Sequence, residues 1–352
     1  MSTDQLPEVP HGRTGRMRAT RLAPALGCIG LLAFSVYFSR DLAGGDQEIA
    51  HAVAKANAFL ESLDAQQRGK LLLAFDSAKK PSWSNLPVTM VPRNGLRLGE
   101  LTQRQRGLAL DVLAAVLSKQ GFQKVIDIMN ADDHLVQGNA NRMRFGTDNY
   151  YLAVFGTPSA TKPWMVQFGG HHLGLNVTIV GKETTLAPTH TGAQPDSFTR
   201  NGKTVRPLGA ENDLAFKLVN MLDAEQRTQA VLGARPINLQ LGPGQDGKTI
   251  RPVGLKCAGL KEDQRAVLVD LIGAWVHIQP DDAAASRLAA LKGKIDDTYF
   301  AWYGPTTNGR AAYYRIQGPT LVIEYAPQGS TSHIHTIIRD PSNDYGKEWT
   351  RS

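Results

Sequence analysis

Apolar residues recur three and four positions apart in Leu108, Val112, Ala115 and Val116, and again in Val267, Leu268, Leu271 and Trp275. That spacing lines one face of a helix and predicts two buried helices. A polar hexad opens each of them, Leu101-Thr102-Gln103-Arg104-Gln105-Arg106 and Leu260-Lys261-Glu262-Asp263-Gln264-Arg265. Two further hexads have the same form, Leu63-Asp64-Ala65-Gln66-Gln67-Arg68 and Leu222-Asp223-Ala224-Glu225-Gln226-Arg227. Asp64, Thr102 and Asp223 suit N-caps, and the glutamine three residues on can close a capping box. Lys261 has no acceptor, so the fourth helix must begin in another way.

Elsewhere the pattern changes to strands. Tyr150–Gly156 resembles Thr298–Gly304, and residues 164–181 align with 312–329 without a gap, Gly170 on Gly318 and Gly181 on Gly329. Both stretches are two β-branched and aromatic runs joined by a glycine turn. Asn201-Gly202 and Asp246-Gly247 read as hairpin turns. Each leads into a segment that proline ends, Lys203–Pro207 and Lys248–Pro252, expected to be an edge strand or a loop.

The hexads recur at a constant offset of 159 residues, and the two in each half are 38 apart. The expected fold is α+β, with duplicated helix–helix–sheet halves related by a pseudo-two-fold axis around a shared core. The expected division is residues 1–47, a basic segment and an apolar leader; 48–210, the first half; and 211–352, the second half.

Charge changes this picture only at the N-terminus. Five arginines and two acids in the first forty residues supply part of the net +7, and the remainder is about +4. So mild and even a charge argues against a nucleic-acid partner. Four of the arginines precede an uncharged run, Leu22–Phe38, in the order of a signal peptide or short signal anchor. An exported protein is therefore expected, periplasmic or extracellular, or anchored to the membrane with its body on the outer face. Only Cys28 and Cys257 are present, which excludes an intrachain disulfide in the body and a cysteine zinc site.

Histidines differ between the halves. The first carries Gly169-Gly170-His171-His172 where the second has Gln317-Gly318-Pro319-Thr320; the second adds Ser332-His333-Ile334-His335-Thr336. A His-x-His strand points both rings to one face. Neutral imidazole suits Zn, Cu, Ni or Fe. His171 and His172 would point oppositely on a regular strand, unless the glycines admit a turn that brings both inward. Glu211, Glu324, Asp340 and Asp344 are the carboxylates able to complete or support such a site. No nucleophile elbow, zinc-protease helix, phosphate loop or dinucleotide fingerprint occurs.

The segments FGGHHLGLN (168–176), YYRIQGPTLVIEY (313–325) and HIHTIIRDPSNDYG (333–346), with Glu211 and the helix it opens, resemble the domain of unknown function 3500 family. The resemblance covers most of residues 48–350. It implies an often exported protein without an assigned activity. Its characteristic residues map to His171, His172, Asn176, Glu211, Glu324, His333, His335, Arg339, Asp340 and Asp344.

These residues support three readings. The first is a metal-binding protein with His171, His172, His333 and His335 as ligands, and Asn176, Arg339, Asp340 and Asp344 around them. The second is a metal-dependent hydrolase or oxidase with an open metal position and Glu211 or Glu324 as general base. The third is a metal-free module in which the histidines and Arg339 hold a small anion. The expected partners are a metal ion or small molecule, and the membrane if the leader is uncleaved.

Overall fold

The computed structural model describes residues 29–136 and 141–350, with side chains from Gly45 onward. Ala43–Ser352 form one compact unit, distinct from Met1–Leu42. The apolar leader begins outside the described residues. Among the described residues no helix is long and apolar enough to cross a membrane.

Helix α1 (Ile29–Glu61) is followed by α2 (Ala65–Leu71), α3 (Gln103–Val116) and α4 (Lys119–Asp133). Later come α5 (Gly209–Met221), α6 (Ala224–Ala230), α7 (Glu262–Val276) and α8 (Asp281–Lys292). Asp64, Thr102 and Asp223 each cap a helix and receive the reciprocal glutamine contact. At α7 only half of the box forms: Gln264 accepts from the Lys261 N–H, while Asp263 takes the Gln264 N–H. The 38-residue spacing has a physical cause. Gln105 donates to Gln67 at 3.0 Å, and Gln226 to Gln264 at 2.9 Å, so each pair of capping residues is also a cross-link between helix starts.

The strands build one large mixed sheet. Its first half holds β1 (Leu72–Leu73), β2 (Leu96–Arg97), β3 (Tyr151–Phe155), β4 (Trp164–Gly169), β5 (Leu173–Val180), β6 (Glu183–Thr185) and β7 (Thr189–Ala193). A small hairpin, β8 (Phe198–Arg200) and β9 (Lys203–Val205), stands apart. The second half adds β10 (Val231–Gly233), β11 (Leu255–Lys256), β12 (Tyr299–Tyr303), β13 (Tyr313–Gly318), β14 (Leu321–Pro327) and β15 (Ile334–Arg339). The spatial order is β1-β3-β4-β5-β7-β15-β14-β13-β12-β10.

Pairing on the two wings follows one scheme. Leu72 lies opposite Val154, and Val231 opposite Trp302, both in parallel. Gln167 faces Asn176, and Arg315 faces Glu324. Gly95 and Gly254 occupy the same place in this scheme. A Cβ on Gly95 would lie 1.9 Å from the Leu152 carbonyl oxygen, and one on Gly254 2.3 Å from that of Phe300. Both have positive φ, +89° and +99°, which favours glycine. Gly95→Ala is therefore expected to destabilise the fold by about 3 kcal/mol or more. Gly107→Ala, in α3 with nothing within 4 Å, should instead stabilise it by about 0.5–1 kcal/mol. Urea unfolding of the two variants checks the contrast.

Apolar side chains form two large clusters, one mainly under each wing, where the sequence suggests one shared core; Ile278 of the second half packs into the first-wing cluster, and Ala193 and Leu208 of the first half into the other. Alternate residues of β4 show that these clusters occupy one face of the sheet. Trp164, Val166 and Phe168 join the first-wing cluster, while Gln167 turns to the opposite face and bonds Asn94 and Asn176. That face is covered by two long connections, residues 74–95 and 234–254. Asn201-Gly202 does form the β8–β9 hairpin. Asp246-Gly247 does not, because Lys248–Pro252 forms no strand; Asp246 instead pairs with Arg339 and Tyr345. Cys257 is a buried small hydrophobe, its thiol pushed up to about 12 by burial.

Candidate metal centre

The wings meet where β7 pairs with β15, and the histidines gather at that seam. His335 lies on β15 opposite Gly192, and His190 on β7 opposite Ile337. His171 and His172 form the β4–β5 turn, closed by the Gly170 N–H donating to the Leu173 carbonyl at 3.0 Å. His172 takes φ +61°, a left-handed conformation that costs a non-glycine residue about 1–2 kcal/mol. The conformation sets both rings together, 3.6 Å apart, rather than on opposite faces. Glycine at 192 makes room, since a Cβ there would press on the His172 ring at 3.2 Å.

His172 Nε2 lies 2.8 Å from His333 Nε2, which lies 3.0 Å from His335 Nε2. His172 and His335 are buried, and His333 is partly exposed. The two rings of the His-x-His pair do reach one side, 4.7 Å apart. A neutral imidazole nitrogen carries either one proton or one lone pair. His333 Nε2 can therefore satisfy one of its two neighbours, never both. One cation among the three nitrogens satisfies all of them. Around an ion with bonds of about 2.0–2.1 Å the nitrogens would stand roughly 3.3 Å apart, a spreading of only a few tenths of an ångström.

Burial keeps these rings neutral. It pushes His335 down to about 2 and His333 to about 4, with neighbouring rings adding to the effect. His172 is also held well below the ordinary value, first by burial and then by the surrounding histidines.

Asp132, at the end of α4, accepts from His171 Nδ1 at 2.6 Å and lies 3.8 Å from His172 Nδ1. Asp132, His171 and His172 are, among the described residues, a second group close enough to hold an ion. Burial raises the Asp132 carboxyl, against the lowering influence of His171. On the covered face Asn85 contacts His335 Nδ1 at 3.2 Å, and Trp83 stacks against His190. Among the described residues no hydrogen bond of good geometry reaches either His190 nitrogen, although the Thr336 backbone is near enough to act on the ring.

The other sequence candidates sit elsewhere and are occupied. Glu324 accepts from the Gln240 and Leu241 N–H groups and from Tyr313. Glu211 is fully buried and pairs with Lys124. Asn176 bonds Gln167 and the Pro188 carbonyl. Arg339 is neutralised by Asp246 and Asp344 and also donates to the Leu241 and Gly242 carbonyls. Asp340 pairs with Arg287 at 2.9 Å. None of these belongs to either metal-holding group.

Sequence reasoning passed over Asp132, Asn85, Trp83 and His190. One signal was available for Asp132: it sits in the last turn of a helix, where the dipole disfavours a carboxylate.

The family described as Protein of unknown function (DUF3500) matches residues 45–347, and the chain belongs to it. No curated protein and no solved structure matches the chain.

Proposed function

We propose that the chain is an extracytoplasmic metal-binding protein whose ion sits among His172, His333 and His335. The observation that carries this reading is the convergence of three neutral Nε2 atoms that cannot satisfy one another by hydrogen bonds. An all-imidazole set suits Zn, Cu, Ni or Fe. We further propose that the body is a duplicated fold, residues 48–210 and 211–352 about a pseudo-two-fold axis. The matching strand registers and the paired glutamines support that idea. The location outside the cytoplasm rests on the arginines and apolar run of the leader.

A second reading, a metal-dependent hydrolase or oxidase, draws on one feature. Three protein ligands leave a position for water or substrate, as catalytic zinc sites do. His333 is partly exposed, and Asp132, bonded to His171, lies 3.8 Å from His172. In this reading Asp132 and His171, rather than Glu211 or Glu324, are the groups placed to handle a proton.

Stripped protein titrated with cobalt(II), followed by absorption and by metal analysis, tests the centre. One ion per chain is expected. Protons compete with metal only below the pKa of the free ligand, and His333 and His335 lie at about 4 and about 2. Uptake should thus persist down to about pH 5, whereas ordinary imidazoles would lose the ion near pH 6. Negligible metal at neutral pH would remove the proposal.

A further inference from the structure

The two long connections over the histidine face do not close on each other. Between residues 79–94 and Pro243-Gly244 they leave a cavity of about 620 Å³, the size of a small-molecule site. Its charge is one-sided. Lys79 and Arg93 line it and no carboxylate does. Lys79 is exposed and has no acidic partner among the described residues. The Arg93 guanidinium spends its donors on main-chain carbonyls, those of Ser84 at 2.8 Å and Gly170 at 2.9 Å, with further contacts to Leu86 and Val91. Among the described residues its Nε is buried without a hydrogen-bond partner, and no carboxylate pairs with it. Burial lowers Arg93 to about 10, which leaves it cationic at neutral pH. Hydroxyls of Ser82 and Ser84 and the amide of Asn94 add neutral polar groups.

The same wall reaches the metal centre from behind. Asn85 touches His335, Trp83 stacks on His190, and Arg93 holds the carbonyl beside His171. A molecule in this cavity would press on the segment that supports the histidines.

We propose that this cavity binds a small organic anion, its carboxylate facing Lys79 and Arg93. The site is distinct from the histidines and from Arg339, and it stands whether or not a metal is bound. A charge-assisted contact of about 1.5–3 kcal/mol corresponds to a preference of roughly 10–150-fold for the charged form.

Calorimetric titration of the full chain with benzoate, phthalate and citrate, each beside its neutral amide, reads that preference. At least one carboxylate should bind about tenfold or more tightly than its amide. Lys79→Gln should weaken it about three- to tenfold. Ser82→Trp, an exposed position on the cavity wall, should block it while leaving the fold intact by circular dichroism. Binding should survive in stripped protein and in the His333→Ala/His335→Ala variant. Equal binding of acids and amides, no binding of any, or indifference to both cavity variants overturns the proposal. Loss of anion binding in the histidine variant alone would also overturn it and place the anion on the metal, leaving the metal reading intact. Anion binding without metal uptake would have the reverse meaning.

Discussion

Changing His333 and His335 together to alanine is expected to remove the bound metal while leaving the chain folded. Three imidazoles share the ion, and two would be gone. A structural zinc site of four ligands is worth about 10–16 kcal/mol, so each ligand accounts for roughly 2.5–4 kcal/mol, or 10²–10³-fold in affinity. Loss of two should therefore weaken binding by at least about 10⁴-fold, from stoichiometric to undetectable at micromolar protein. Stability gives a second readout. An ion at about 100 times its Kd adds roughly 2.7 kcal/mol to the native state, so loaded wild type should melt above stripped wild type. The variant should melt alike with and without metal. His51→Ala, an exposed histidine on α1, is the control and should keep its ion. If both variants hold as much metal as the wild type, the ion sits elsewhere and the centre is wrongly placed.

How much of this was legible depends on the kind of contact. Helix starts could be read because a cap and its glutamine lie within one turn of chain, so Asp64, Thr102 and Asp223 announce themselves. The histidine clusters were legible as residue types, and His-x-His fixed its own geometry through the two-residue period of a strand. What brings His172 to His333 is not local: it is the pairing of β7 with β15, which no periodicity encodes. Asp132 was hidden for the same reason. It reaches His171 across 39 positions, from an otherwise ordinary helix. Glu211 and Glu324 stood out as carboxylates able to complete or support a metal site, a role that residue type alone does not separate from that of a buried tie. Their partners, Lys124 for one and two backbone N–H groups with Tyr313 for the other, favour the tie. The single core divides on a similar point. Most helices pack against their own wing, and the halves are joined by the continuous sheet together with the contacts of α4 to Glu211, Ala274 and Ile278.

Lys124→Met should be among the most destabilising single changes in the body. Lys124 belongs to α4 of the first half, and its ammonium meets Glu211 at the start of α5 and the Ala274 carbonyl in α7 at 3.1 Å. Glu211 is fully buried, and its second oxygen already has no hydrogen-bond partner among the described residues. Removing the cation strands a carboxylate with no access to water. Breaking a buried pair from one side costs about 3–5 kcal/mol, whereas replacing both partners by apolar groups is often neutral. The double variant Lys124→Met/Glu211→Met should thus recover most of the loss, visible as a return of the urea midpoint toward wild type. Metal content offers an independent check on the role of Glu211. Because it lies outside both metal-holding groups, the double variant should bind the ion as wild type does. A double variant no more stable than the single would mean that packing, not the stranded charge, sets the cost. A double variant that folds but loses its metal would return Glu211 to the centre.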